Sequence, residues 1–216
     1  MSDVGVALET LSGAVTLQHL NAIARLRIAV FRDWPYLYDG DLGYEGEYLA
    51  AYAKSPRSIV VLARSAGEVV GASTGVPLAE DSAEFQAPFI AGGIDVAQVF
   101  YCGASVLLPE YRGRGIGHGF FNAREAHARA LGGFAWTAFA AVDRDADDPR
   151  RPTGHRGNKA FWHKRGYRRQ EGMRMSLQWN EVGAGQQLHT LTFWLRPLHA
   201  DDEHVADHGG TREVGD

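Results

Sequence analysis

The chain has 216 residues, of which 45% are hydrophobic and 22% charged, and its formal net charge at pH 7 is −4. These values suit one folded domain and exclude a disordered or fibrous chain. The negative balance argues against a dedicated nucleic-acid-binding protein, which usually carries a basic excess. The single cysteine, Cys102, excludes an internal disulfide and fits a reducing compartment.

Neither the N-terminal segment nor the apolar runs carry a targeting signal. The first residues include an acid and lack the basic start and long apolar run of a secretory signal. The longest apolar runs, such as residues 134–142, have about half of the roughly 20 residues that a membrane helix needs. We therefore expect a cytoplasmic protein with no membrane partner.

The first half of the chain predicts a strand, two helices and a hairpin. Val6 to Leu11 is typical of a strand, and helical spacing of apolar residues follows from Leu17 to Phe31. A second helix is predicted from Glu45 to Ala53, after a loop rich in aromatic and acidic residues. Two β-branched runs then flank Ser65-Ala66-Gly67, which indicates a β-hairpin. Glu80 to Val96 is a more irregular segment with room for a short helix.

The centre of the chain predicts a strand–helix–strand unit. Val99 to Leu108 is a buried strand that ends at Pro109. The apolar residues between Gly115 and Leu131 recur at steps of three and four, which predicts a helix with one apolar stripe. Phe134 to Val142 is the next strand. A crossover of this kind places its two strands parallel, with the helix covering one face of the sheet.

The last third begins with a charged loop, Asp143 to Gly157, followed by a helix from Asn158 to Arg165. Tyr167 to Trp179 and Gln187 to Leu198 predict two long antiparallel strands. Residues 199–216 have no apolar pattern, which predicts a disordered tail. The histidines and acids of this tail are more typical of a solvated segment than of a metal site. The chain is thus expected to be a single mixed α/β domain, residues 1–198, with a short tail.

Alternate glycines stand where the central strand turns into the long helix, at Gly113, Gly115, Gly117 and Gly119. The free amide groups at a helix N-terminus bind phosphate, and glycine lets the backbone approach an anion closely. Arg112 and Arg114 add positive charge, so the segment predicts a diphosphate site. Gly119 has no predicted ligand role, and we expect it to allow close packing of the helix on the sheet.

The spacing of these glycines discriminates between phosphate motifs. The P-loop needs a lysine that is absent here, and Gly-x-Gly-x-x-Gly fails in both frames, at His118 and at Phe120. What fits is Arg-x-x-Gly-x-Gly, from Arg112 to Gly117. This segment resembles the acetyl-CoA signature of the GNAT N-acetyltransferase superfamily, and the order of elements is similar to that fold. The later run NKAFWHKRGY resembles a second landmark of the family in loosened form.

The resemblance implies a GNAT fold, in which a twisted mixed sheet of about seven strands splays between two central parallel strands and about four helices flank it. It also implies acetyl-CoA as co-substrate and no metal. Backbone groups of Ser105, Val106 and Leu107 would pair with the pantetheine arm. Asn158 and Trp162 would lie near the thiol end. The pyrophosphate would be held by the glycine-rich run of Arg112, Gly113, Arg114, Gly115, Ile116 and Gly117.

The resemblance further implies direct attack of a neutral amine on the thioester in a ternary complex. The amide of Leu107 would polarise the thioester carbonyl. Trp162 occupies the place where the family usually has a tyrosine that protonates the thiolate, and an indole cannot act as a general acid. Tyr101 occupies the place of the family's base and would relay a proton through water or stack on the acceptor. His155 is a further histidine that could reach the site from the charged loop.

Period-two geometry places Tyr101, Gly103 and Ser105 on one face of the central strand. Cys102 should then face the other side among apolar neighbours. A thiol nucleophile at Cys102 would give an acetyl-enzyme mechanism instead, but a lone cysteine in a strand is usually a small buried hydrophobe.

The loop after the first long helix is the predicted wall of the acceptor pocket. Trp34, Tyr36, Asp39 and Asp41 combine aromatic faces with carboxylates, which suits a cationic amine. A surface loop with aromatics tucked into the core is the competing interpretation. The partner is expected to be an amine on a small molecule or a peptide, with no nucleic acid. The two C-terminal strands could also pair between chains in a homodimer. An alternative function is a non-catalytic acyl-CoA-binding sensor or partner module.

Overall fold

The computed structural model describes residues 5–199, so the predicted tail lies outside the described residues except for His199. Seven strands and five α-helices form within that range. The strands are β1 (Ala7–Leu11), β2 (Ile59–Ser65), β3 (Glu68–Pro77), β4 (Val99–Leu107), β5 (Trp136–Val142), β6 (Arg168–Glu181) and β7 (Gly185–Pro197). The helices are α1 (Leu20–Phe31), α2 (Leu42–Lys54), α3 (Ala83–Ala91), α4 (Ile116–Leu131) and α5 (Lys159–Lys164). The helix beyond the expected four is the short α3, in the irregular segment before β4.

All seven strands belong to one sheet, in the order β1-β2-β3-β4-β5-β7-β6. Every neighbouring pair is antiparallel except β4 and β5, which are parallel and joined by α4. This confirms the strand–helix–strand unit that the sequence predicts. The two long C-terminal strands, β6 and β7, pair with each other antiparallel, also as predicted.

The hairpin between β2 and β3 turns through Ala66 and Gly67, whose φ angles are 50° and 86°. Two consecutive residues at positive φ are the signature of the type I′ turn, whose twist matches that of the flanking strands. Gly67 adopts a positive φ readily, whereas Ala66 is held in this conformation although its Cβ disfavours it.

Helices cover both faces of the sheet. On one face α4 buries Phe120 and Ala128 against sheet residues such as Val61 and Cys102. On the other face α1 and α2 bury residues such as Ile23 and Leu49 against Val60 and Val106. Burying a side chain the size of phenylalanine stabilises a fold by roughly 1.5–3 kcal/mol. The two cores hold the sheet between the helix layers. They thereby determine the positions of β4 and β5 relative to the helices.

No helix among residues 5–199 is long and apolar enough to cross a lipid bilayer.

Candidate active site

The central parallel strands separate from each other after three residues. Their register pairs Val99 with Trp136, Phe100 with Thr137 and Tyr101 with Ala138, and no further pair follows. β4 nevertheless continues to Leu107 and stays paired with β3 along its other edge. The edges of β4 and β5 that face each other beyond Tyr101 and Ala138 are therefore open, and we call this opening the split.

β4 contains a β-bulge at the start of the split. Ser73 of β3 pairs with Ser105 whereas Gly75 pairs with Cys102, so β4 carries one additional residue. The Ala104 amide donates to Thr74 Oγ1 at 3.0 Å, and Ser73 Oγ donates to the Ala104 carbonyl at 3.1 Å. A bulge bends and twists its strand. Here the side chains of β3 satisfy the backbone groups that the bulge displaces.

A buried arginine of α4 contacts β3 opposite the bulge. Arg124 is 1% exposed, its Nη1 donates to the Thr74 carbonyl at 3.4 Å, and its guanidinium lies 4.6 Å from the centre of the Phe121 ring. The carbonyl that accepts this bond lies opposite the bulge in the β3–β4 register. Arg124 thus links the middle of α4 to β3 at the position opposite the bulge.

Because of the bulge, the side chains of β4 do not alternate between the two faces of the sheet as expected. Cys102 and Leu107 both pack into the core on the α4 side, although they are five positions apart and would lie on opposite faces of a regular strand. Tyr101 packs on the opposite face, and Ser105 hydrogen-bonds Ser73 at 2.9 Å between their hydroxyls. The expectation that Tyr101 and Ser105 share a face is wrong, because the additional residue reverses the alternation between them. Cys102 does face away from Tyr101, as expected.

The N-terminus of α4 lies at the mouth of the split and has no side-chain cap. Gly113 and Gly115 have φ angles of 77° and 81°, and a Cβ added at either would meet no atom within 4 Å. Glycine is favoured at both positions because it adopts a positive φ readily, and its lack of a side chain leaves open space next to the backbone amides. Arg112 donates to the Leu107 carbonyl at 3.1 Å, and Arg114 donates to the Glu110 carbonyl at 3.2 Å, with both residues exposed. An anion approaching these amides would also meet two guanidinium groups.

The other two glycines of the run have different surroundings. A Cβ on Gly117 would lie 3.7 Å from Phe161, an ordinary contact. A Cβ on Gly119 would overlap a methyl group of Leu8 in β1. Gly119 therefore allows close packing of α4 on the sheet, which confirms the role expected from the sequence.

The second landmark forms α5 beside the split. The ring of the half-buried Trp162 lies 4.9 Å from Phe139 of β5 and 5.0 Å from Trp194 of β7. Asn158 is exposed, and its carbonyl accepts a bond from the Trp162 amide. His163 lies against Trp194 at 5.1 Å. Trp162 is thus held by aromatic packing and brings no acidic proton to the site.

The acceptor loop was predicted over residues 31–45, and the part that lies between α1 and α2, residues 32–41, is held against β6 and the charged loop. Arg144 donates to the carbonyls of Pro35 and Tyr36 at 2.6 and 2.9 Å, and Trp179 Nε1 donates to the Tyr36 carbonyl at 3.1 Å. Arg144 also binds Glu181, 2.9 Å away, whose carboxylate is 3% exposed. These hydrogen bonds hold the loop in a fixed position.

The four predicted acceptor residues separate into two pairs. Trp34 is half-buried beneath the Arg144 guanidinium and lies 6.4 Å from the His155 ring, and Tyr36 packs 4.4 Å from Phe31. The two aspartates have other roles in this structure. Asp39 pairs with the exposed Arg32, and Asp41 caps α2 by accepting from the Tyr44 amide. The structure brings Trp34 and His155 together and packs Tyr36 between Phe31 and Trp179, but leaves Asp39 and Asp41 at the surface.

A layer of tyrosines lies on the α1–α2 face of β4, and the sequence predicted a functional role for two of them, Tyr36 and Tyr101, but not for Tyr48 and Tyr52. The hydroxyls of Tyr48 and Tyr52 are 3.0 Å apart, and Tyr52 reaches the bulge. The hydroxyls of Tyr101 and Tyr36 lie near the backbone of Ala140 and of Val142, both beyond the last β4–β5 pair. The sequence could have indicated that Tyr48 and Tyr52 lie side by side, because they are four positions apart in a predicted helix and such residues share a helix face.

These phenols are protonated at neutral pH. Burial raises the pKa of Tyr36 to about 12, and burial likewise raises the pKa of Tyr52 and of Tyr101 well above the usual value. Tyr101 lies 5.1 Å from Phe85 and is almost fully buried. A protonated, buried phenol of this kind is a poor base for proton abstraction.

A buried ion pair lies behind the tyrosine layer. Arg27 of α1 hydrogen-bonds Glu45 of α2, which is fully buried, and the Arg27 guanidinium stacks 4.3 Å from the ring of Tyr48. Because each charge has its partner inside the protein, this pair fixes the relative position of α1 and α2.

Cys102 is fully buried, and burial raises the pKa of its thiol even though the nearby Arg124 charge acts in the opposite direction. A protonated, inaccessible thiol is a poor nucleophile. The acetyl-enzyme alternative therefore has no support from the surroundings of this residue. Among residues 5–199, no group of three histidine, cysteine or acidic side chains is placed to hold a metal ion.

The chain was compared with known proteins. The sequence model of the Acetyltransferase (GNAT) family matches residues 23–152. A search of curated proteins gave no significant match.

Solved structures agree in fold. An acetyltransferase from Thermus thermophilus has a TM-score of 0.55 at 16% identity, over 91% of this chain and 99% of its own. A ribosomal-protein-alanine N-acetyltransferase from Brucella melitensis has a TM-score of 0.57 at 13% identity, over 88% and 99%. The yncA protein of Salmonella typhimurium, whose structure contains its cofactor acetyl-CoA, has a TM-score of 0.51 at 13% identity, over 97% and 99%. At these identities the likeness concerns the fold alone.

Proposed function

The chain belongs to the GNAT acetyltransferase family, and we propose that it transfers an acetyl group from acetyl-CoA to a primary amine while both substrates are bound. The acceptor would be a small molecule, a polyamine, an amino acid or a protein N-terminus.

The observation that carries this proposal is the split between β4 and β5 with the uncapped N-terminus of α4 at its mouth. The open edge of β4 from Ser105 to Leu107 would pair with the pantetheine arm as an added strand would. The amides from Arg112 to Gly117 would bind the pyrophosphate, because a helix N-terminus attracts anions. Gly113 and Gly115 leave the space that such an approach needs.

The proposed acetyl transfer depends mainly on backbone groups rather than on side chains. The amine nitrogen forms a bond to the acetyl carbonyl carbon, the carbon–sulfur bond breaks, and sulfur leaves with the electron pair while the nitrogen loses a proton. The Leu107 amide would donate to the carbonyl oxygen as negative charge develops there. A thiolate whose conjugate thiol has a pKa of about 8.5 is an acceptable leaving group at neutral pH. Trp162, which cannot donate a proton to it, is compatible with turnover.

Binding of the cofactor is tested by thermal shift with acetyl-CoA, CoA, ATP and NAD. A ligand at 100 times its dissociation constant stabilises the folded protein by about 2.7 kcal/mol. We expect acetyl-CoA and CoA to raise the melting temperature, and ATP and NAD to leave it nearly unchanged. Stabilisation by NAD or ATP but not by CoA species would refute the proposal.

Transfer is tested by release of free CoA thiol in the presence of a panel of amines. The panel contains diaminobutane, phenethylamine, an amino-acid amide and a short peptide with a free N-terminus. We expect thiol release that depends on at least one amine. Tight CoA binding without amine-dependent release would support the non-catalytic acyl-CoA-binding module instead.

A further inference from the structure

An open cleft of about 580 Å³ lies beside α4, where the end of α5 and the end of β7 approach that helix. Along α4 the cleft extends from His118 to Arg129. These residues are eleven positions apart, so at about 1.5 Å per residue the cleft follows the helix for roughly 16 Å. A cleft of this volume can hold a small organic ligand.

The cleft lies apart from the split. Its lining residues Arg196 and Pro197, at the end of β7, pair with the first two residues of β5. The split opens further along β5, beyond Ala138. Arg129 is in the last turn of α4, whereas the predicted pyrophosphate site is at the N-terminus of that helix. A ligand in the cleft would therefore be bound separately from the cofactor.

Cations dominate the walls of the cleft. Among the residues that the structure describes, four cationic side chains and one carboxylate line it: Arg129, Lys164, Arg165, Arg196 and Glu125. The chain as a whole has a net charge of −4, so this concentration of positive charge is local. A cleft lined by an excess of one charge attracts ligands of the opposite charge.

Glu125 holds two of these cations in place. Its Oε2 accepts from Arg165 Nη2 at 2.8 Å and from Arg196 Nη1 at 3.0 Å, and its Oε1 accepts from the Tyr167 hydroxyl at 3.2 Å. The side chains of Glu125 and both arginines are at most 10% exposed. One carboxylate between two guanidinium groups leaves the three groups together with a positive charge. Because both arginines are already held, they lose little conformational freedom when they bind an anion.

Arg165 and Lys164 can each bind a further acceptor. Arg165 contacts Asn122 Oδ1 at 2.9 Å and His118 Nδ1 at 3.3 Å, but its buried Nε has no hydrogen-bond partner in the described part of the chain. Lys164 is exposed and forms no ion pair with any residue from 5 to 199. A buried donor without an acceptor lowers stability, and a ligand oxygen would supply that acceptor.

We infer that this cleft binds a small phosphomonoester, at a site distinct from that of acetyl-CoA. A phosphomonoester carries a charge of about −1.5 to −2 at neutral pH and three acceptor oxygens, which suits several cations that line one cleft. Arginine binds phosphate through two parallel hydrogen bonds, and lysine binds it as a point charge. A monocarboxylate has one charge and two oxygens, so it would gain less. The inference goes beyond the proposed acetyl transfer and does not depend on it.

The test is isothermal titration calorimetry of the full chain in the presence of excess CoA, which occupies the N-terminus of α4. The probes are glycerol 3-phosphate, the monoanion acetate and uncharged glycerol. Glycerol 3-phosphate should bind at least about 10-fold more tightly than acetate, because it carries more charge and more acceptor oxygens. Glycerol should show no binding. Equal affinities for glycerol 3-phosphate and acetate, or no binding of either, would overturn the inference.

A second titration separates the cleft from the phosphate groups of the cofactor. Dephospho-CoA, which lacks the 3′-phosphate, replaces CoA, and the affinity for glycerol 3-phosphate should be the same with either cofactor. If glycerol 3-phosphate binds in the presence of dephospho-CoA but not in the presence of CoA, the cleft holds the 3′-phosphate of the cofactor itself. The inference of a distinct site would then be wrong.

Variants locate the site. Lys164→Gln should weaken glycerol 3-phosphate binding about 10-fold, the loss expected for one hydrogen bond to a charged group, and should leave the CoA-induced thermal shift unchanged. Lys164→Arg should keep most of the affinity, because it keeps the charge. Lys54→Gln is the matched control, since Lys54 is an exposed lysine in the last turn of α2, on the other face of the sheet. If Lys164→Gln loses no more affinity than Lys54→Gln does, the inference is wrong.

Discussion

The hydroxyl of Tyr52 occupies the place where any side chain on Gly103 would have to go. A Cβ built on Gly103 overlaps that hydroxyl and lies 2.7 Å from Thr74 Oγ1. Tyr52 belongs to α2 and Gly103 to β4, so this contact ties the helix layer to the strand at its bulge. Because the split begins at the bulge, the shape of the split depends on a contact between residues far apart in sequence.

Gly103→Ala should destabilise the protein by about 1–3 kcal/mol, because an added methyl group in a packed site forces its neighbours to move. Adding Tyr52→Phe removes the hydroxyl that the methyl group meets, and the double variant should recover part of the lost stability. Urea denaturation of the single and double variants measures both effects. Additive losses would show that Tyr52 does not restrict this position.

Gly115→Glu should abolish CoA binding. A carboxylate side chain at this position would repel the pyrophosphate, and the φ of 81° disfavours any residue with a Cβ. Gly154→Glu is the matched control, since Gly154 has a φ of 75° in the exposed charged loop. Both variants should lose similar stability, whereas only Gly115→Glu should lose the CoA-induced thermal shift. Unchanged CoA binding by Gly115→Glu would refute the pyrophosphate site.

Arg144→Met should lower the free energy of unfolding by about 3 kcal/mol, because it leaves the buried Glu181 carboxylate with fewer partners and frees the carbonyls of Pro35 and Tyr36. Arg32→Met removes an exposed ion pair with Asp39 and should cost less than about 1 kcal/mol. Chemical denaturation measures the difference. Equal costs for the two variants would show that Arg144 does not clamp the loop.

Stability should fall as pH decreases below about 6.5, the usual histidine pKa. Burial, aided by the Arg144 charge, lowers the pKa of His189. Burial alone would raise the pKa of Glu181, but hydrogen bonds from Arg144 and Arg150 outweigh it and lower that pKa. The unfolded chain therefore binds more protons than the folded one in this acidic range, and protonation favours unfolding.

Urea denaturation between about pH 7.5 and about pH 5 measures this loss, which should be smaller in His189→Gln over the upper part of the range. A free energy of unfolding that stays constant or rises on acidification would contradict the assignment. So would an unchanged pH dependence in the variant.

Local features were predictable from the sequence to the extent that they depend on neighbouring residues. The Ala66-Gly67 turn, the apolar stripe of α4 and the uncapped glycine run depend on local backbone preference and spacing, and the structure shows all three. The bulge in β4 was not predictable, since its displaced backbone is satisfied by Thr74 of β3, which Arg124 of α4 hydrogen-bonds in turn.

The most direct test of the proposed function is mass spectrometry of each amine in the panel after incubation with acetyl-CoA and the purified protein. We predict that at least one primary amine gains a single acetyl group, at a rate proportional to protein concentration, and that Gly115→Glu abolishes this product. Absence of acetylated product from every amine, in a preparation that binds CoA, would contradict the assignment of this chain as an active N-acetyltransferase.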